Sequence, residues 1–164
     1  LPELEKMAEI CRQAIKNDHK ILLCGNGGSA ADSQHIAAEF VGRFVKERKG
    51  LPSIAFTTDT SILTAIGNDY GYEEVFRRQV EALGREGDVL IGISTSGNSG
   101  NIVKAFEQAK KQGVKTLALT GQKDSKMSAL ADVTLKVPAP VTARVQECHI
   151  MIGHMICEYI DEEY

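Results

Sequence analysis

The chain has 164 residues, of which 43% are hydrophobic and 25% charged, a composition suited to one globular domain with a sizeable core. Lysine and arginine number 19 against 22 acidic residues, giving a net charge of −3 with no long run of one sign, so nothing calls for nucleic acid or an anionic membrane. No apolar run approaches the roughly 20 residues that cross a bilayer and no basic-then-apolar leader opens the chain, so the expected location is the cytoplasm.

In chain order, Leu4, Met7, Ala8, Cys11, Ala14 and Ile15 recur at three and four, which predicts an amphipathic helix over residues 3 to 17. The first residue is Leu1 rather than Met, so a native segment ahead of that helix is expected. Ile21 to Cys24 is a short apolar run of the kind a buried parallel strand produces, broken at once by Gly25, Gly27 and Gly28. A helix follows from Ser29, with Ile36, Ala37, Phe40, Val41 and Phe44 at helical spacing. Ser53 to Thr57 reads as a second strand, and Thr58 or Asp59 can cap a short helix through Ile66. Gly67 to Gly71 then reads as a tight turn, and Tyr72 onward as a helix stopped by Gly84.

Val89 to Ser94 is the third strand, ending in TSGNSG, with a helix from Asn101 to Gln112 closed by Gly113. Val114 to Thr120 and Val133 to Val137 read as further strands flanking a short helix over Lys126 to Ala131. The last helix runs from about Thr142 to Glu162. Strands alternating with helices predict one α/β domain over residues 1 to 164, a three-layer αβα sandwich on a five-stranded parallel sheet. The cysteines Cys11, Cys24, Cys148 and Cys157 lie in apolar patterns without CxxC spacing and read as reduced core thiols.

Ligands of open parallel sheets bind beyond the carboxyl ends of the strands, so the loops GNGGS and STSGNSG should share one rim. Ser94, Thr95, Ser96 and Ser99 put hydroxyls on a turn ahead of a helix, which suits phosphate oxygens; a plain helix cap would need only one. No GxxxxGK[ST] run is present. Gly25, Gly27 and Ala30 fit GxGxxA, but Asp59 lies too far on to serve as the acidic partner of a dinucleotide. His35 and Glu39, four apart, face one side of their helix. Gln146 and His154, eight apart, lie about 80° around the last helix from each other. Together the four offer two nitrogens and two oxygens, a zinc-type set, provided the fold brings them together; otherwise His154 is a core histidine.

CGNGGSAADSQHIAAEF, TAIGNDYGYEEVF, ISTSGNSGNIVKA and TARVQECHIMIGHMICE, in that order, resemble the sugar isomerase (SIS) domain and within it the phosphoheptose isomerases. The resemblance implies a flavodoxin-like SIS fold and conversion of sedoheptulose 7-phosphate to D-glycero-D-manno-heptose 7-phosphate, toward lipopolysaccharide heptose. It also implies a homotetramer with active sites between subunits. By motif, zinc positions fall on His35, Glu39, Gln146 and His154, one ion per subunit. Substrate-binding positions fall on Asn26, Gly27, Gly28, Glu39, Asn68, Asp69, Ser94, Thr95, Ser96, Ser99 and Gln146, and the acid/base pair on Glu39 and His154. Family members usually carry a longer N-terminal helix. A related SIS protein binds the replication initiator without catalysis; it shares the glycine and serine loops but lacks counterparts of Glu39 and His154, both present here.

Overall fold

Five short apolar runs become the five strands of one parallel sheet in the computed structural model, which describes residues 1–164. The strands are β1 (Ile21–Gly25), β2 (Ser53–Ala55), β3 (Val89–Ile93), β4 (Lys115–Thr120) and β5 (Val133–Lys136). Their order is β2-β1-β3-β4-β5, which is the flavodoxin-like arrangement. Pairing is in parallel register, with Ile21 opposite Val89 and Val89 opposite Lys115.

The central strands β1 and β3 are buried along their whole length, without alternation, because both faces of the sheet are covered there. Ile21 and Leu23 of β1 join Met7, Cys11, Ile36, Phe40, Ile152 and Ile156 on one side. Leu22 and Cys24 join Phe76, Val80, Ile102, Phe106 and Met127 on the other. The first side is built by helices α1 (Pro2–Lys16), α2 (Gly28–Val41) and α7 (Thr142–Asp161). The second is built by α4 (Arg77–Leu83), α5 (Gly100–Lys111) and α6 (Lys126–Leu130), while α3 (Thr60–Tyr70) carries no buried residue at all. No helix is long and apolar enough to cross a membrane.

The structure corrects four element boundaries. α2 stops at Val41, so Phe44 lies beyond it. Its last carbonyls are claimed by the Arg48 guanidinium, which donates to Glu39 O and Phe40 O, each at 2.9 Å. The expected turn over residues 67 to 71 is instead the end of α3: only Gly71, at φ +93°, leaves helical space. The helix expected from Tyr72 to Leu83 is split into a 3-10 turn (Tyr72–Glu74) and α4, with Val75 and Phe76 buried at the break. β2 ends at Ala55, after which Phe56 turns into the second core.

Candidate active site

α2 starts where the glycine loop leaves β1, and its sequence repeats every turn on one face, so His35 and Glu39 stand together: His35 Nε2 lies 3.1 Å from Glu39 Oε1. α7 crosses the same face and sets His154 Nε2 3.2 Å from His35 Nε2. The three ligand atoms all lie within 4.8 Å of one another. A tetrahedral ion with bonds of about 2.0–2.1 Å holds its ligand atoms roughly 3.3 Å apart, so these spacings fit a zinc-type centre. The donor chemistry fits too: two imidazole nitrogens face each other 3.2 Å apart with a carboxylate oxygen beside them.

Two features hold the helices in this register. Gly153, next to His154, lies so close to Ile36, next to His35, that a Cβ there would come within 2.4 Å of Ile36 Cδ1. At the far end, Arg48 pairs with Asp161 of α7 at 2.9 Å, with side chains only 2% and 3% exposed. Asp161 also accepts the amides of Val45 and Lys46. Burial alone would raise its carboxyl, but those amides and Arg48 outweigh it and hold the group below the ordinary carboxylate range. The same guanidinium binds Glu39 O, so the ion pair fixes the backbone that carries Glu39.

Asp32, which the sequence analysis did not single out, lies close enough to His35 and His154 to feel their charge. It lies three before His35 and seven before Glu39, which puts Asp32 and Glu39 about 20° apart on the helix; that spacing was the available signal. Its Oδ2 is buried without a partner. Burial raises its carboxyl, opposed by His35 and His154. The Phe44 ring, 5.3 Å from that of His154, covers the cluster from another side.

The two loops form the neighbouring rim. Gly27 adopts φ +57° at the tight turn into α2. Gly28 is held open for Gln146, whose Nε2 would lie 2.6 Å from a Cβ at that position, so Gln146 meets the glycine loop as well as sharing the helix of His154. In the serine loop the Ser94 hydroxyl lies 2.9 Å from Ser99 Oγ and 3.3 Å from Ser96 Oγ and accepts the Gly97 amide. Ser94 is buried and builds the loop; Ser96 is exposed, and Thr95 and Ser99 partly so. The loops are tied together by Asn26 and Asn101, whose side-chain amides bond each other reciprocally. Asn68 and Asp69, at the exposed end of α3, bond each other and no other site residue. His149 on α7 is fully buried and donates to Thr120 O at 3.0 Å, so it is a core histidine, as is usual for this setting.

A family model, the SIS domain, matches residues 2–121. A phosphoheptose isomerase of Nitratiruptor sp. is 61% identical over 94% of this chain and 83% of its own. One of Aliarcobacter butzleri is 60% identical over 98% of this chain and 85% of its own. Among solved structures, the phosphoheptose isomerase of Neisseria gonorrhoeae superposes with a TM-score of 0.94 at 52% identity, covering 99% of this chain and 86% of that one. The Vibrio vulnificus NanR protein complexed with ManNAc-6P, at 18% identity and a TM-score of 0.69, shares the fold. The chain therefore belongs to the SIS-domain family and, within it, to the phosphoheptose isomerases.

Proposed function

We propose that this chain interconverts sedoheptulose 7-phosphate and D-glycero-D-manno-heptose 7-phosphate through an enediol, as the first step toward ADP-heptose and the lipopolysaccharide core. The observation that carries the reading is the convergence of His35, Glu39 and His154 from two helices, one of which, α2, starts in the glycine loop. Moving a proton between neighbouring carbons needs an acid, a base and a means of stabilising charge on oxygen. Glu39 and His154 exchange the protons at the two reacting carbons. Thr95, Ser96 and Ser99 grip the phosphate, and Asn26 and Asp69 orient sugar hydroxyls.

His35, Glu39, Gln146 and His154 would hold one zinc ion per subunit. When bound, zinc supplies Lewis-acid polarisation of the carbonyl and hydroxyl oxygens. Met151 and Met155 on α7, with Val41 at the end of α2 and Val45 just beyond it, leave apolar side chains exposed, which supports association of subunits; we take the assembly to be a homotetramer with active sites between subunits, working in the cytoplasm. The binding-only reading, attachment to a replication initiator, predicts a stable complex and no turnover.

The test is purified protein incubated with sedoheptulose 7-phosphate, with and without chelator and added zinc, followed by product detection. Heptose 7-phosphate that disappears on chelation and returns with zinc is the expected result. No product under any condition overturns the isomerase, and turnover that survives thorough chelation removes the metal.

A further inference from the structure

We infer that Asn101, assisted by Tyr72, is a positioning residue that locks the Asn26 amide in the orientation in which it meets substrate. The inference rests on the sugar-phosphate reading of the site. Asn101 is the second residue of α5 and only 4% exposed. Its Nδ2 donates to Asn26 Oδ1 at 2.9 Å, and its Oδ1 accepts from Asn26 Nδ2 at 3.0 Å. The Tyr72 hydroxyl donates to the same Asn26 Oδ1 at 3.0 Å.

The two lone pairs of that carbonyl oxygen are thus both taken, and one of the two N–H groups of Asn26 is committed to Asn101. What remains of Asn26 is a single N–H. A cavity of about 230 Å³ adjoins it, lined by Asn26, Tyr72, Glu73, Ser99, Gly100 and Asn101. An isolated asparagine at a loop tip can flip its amide and offer an oxygen or a nitrogen at either position. The reciprocal pair removes that freedom, because a flip of Asn26 alone would set oxygen against oxygen and nitrogen against nitrogen. Asn26 is therefore a fixed donor, suited to a sugar hydroxyl or carbonyl oxygen. The pair also ties the glycine loop to the first turn of α5, directly after Ser99, so sugar contact and phosphate grip move as one unit.

A double-mutant cycle tests this, with kcat and KM measured for sedoheptulose 7-phosphate and melting temperature as a control on folding. Asn101→Leu, which removes both bonds at similar volume, is expected to lower kcat/KM roughly tenfold, mainly through KM. Tyr72→Phe, at an exposed position where folding is not at stake, is expected to lower it about threefold. In an Asn26→Ala background both effects should vanish, because a positioning residue has nothing left to position. Losses that add in full to that of Asn26→Ala overturn the inference and leave the sugar-phosphate reading standing. An Asn26→Ala enzyme as active as wild type overturns the contact of Asn26 with substrate, and the inference with it.

Discussion

The helix pair and the loop rim are joined by α2, which leaves the glycine loop and carries His35 and Glu39 farther along it, but they are held by different forces. His35, Glu39 and His154 stand on two helices whose separation is set by backbone packing at Gly153 and Ile36 and by the buried Arg48–Asp161 pair. Asn26, Ser96 and Ser99 stand on loops, where a chain of side-chain hydrogen bonds takes the place of packing. Helix-borne groups keep tight mutual distances, as reactions that move protons require. Chemistry and grip are therefore separable by mutation, and each region should fail in its own way.

Arg48→Met should give the largest effect. It leaves Asp161 buried without its cation, a loss of about 3–5 kcal/mol measurable by denaturant unfolding. A loss below about 1 kcal/mol would mean that the helices are held by packing alone. Next come Glu39→Gln and His154→Gln, each expected to lower kcat by about 10²-fold or more, with KM within a few-fold and melting temperature unchanged. Near-normal turnover in either would remove the acid/base assignment. Ser96→Ala should show the opposite split, a KM raised about tenfold at little cost in kcat. Unchanged affinity for the phosphorylated sugar would place the phosphate elsewhere.

The smallest effect concerns neither region directly. Burial lowers the affinity of His149 for a proton below its ordinary value of 6.5. Below about pH 6.5 the unfolded chain takes up this proton first, so stability falls as pH falls, by at most about 1.4 kcal/mol per unit. His149→Gln keeps a donor for Thr120 O and cannot be protonated. It should flatten the stability profile below about pH 6.5 relative to wild type; identical profiles would show that His149 does not titrate on unfolding.

Much of this was legible in the chain. The apolar runs gave all five strands, and helical spacing alone put His35 beside Glu39 and Gln146 on the side of His154. Their meeting was not legible, because it depends on Gly153 admitting Ile36, a contact between residues far apart in sequence that no local pattern encodes. Arg48, Asp161 and Asn101 were missed for the same reason: their partners are distant, and each reads locally as an ordinary charged or polar residue. Asp32 differs, since its place on the face of Glu39 could have been counted. The boundary errors near Gly67 and Tyr72 arose where Gly67 was read as the start of a turn although α3 runs through it to Tyr70, and where the 3-10 turn at Tyr72–Glu74 was read as helix.

The central claim is that Glu39 and His154 carry a proton between neighbouring carbons through an enediol. Isomerisation run in heavy water for many turnovers reads that directly, because a proton that passes through these side chains exchanges with solvent. Deuterium at C2 of the heptose 7-phosphate, and at C1 of recovered sedoheptulose 7-phosphate, is the result this account predicts. Interconversion with neither carbon labelled, even after enough cycles for a protein-held proton to exchange, would contradict it, since the hydrogen would then have moved directly between the two carbons.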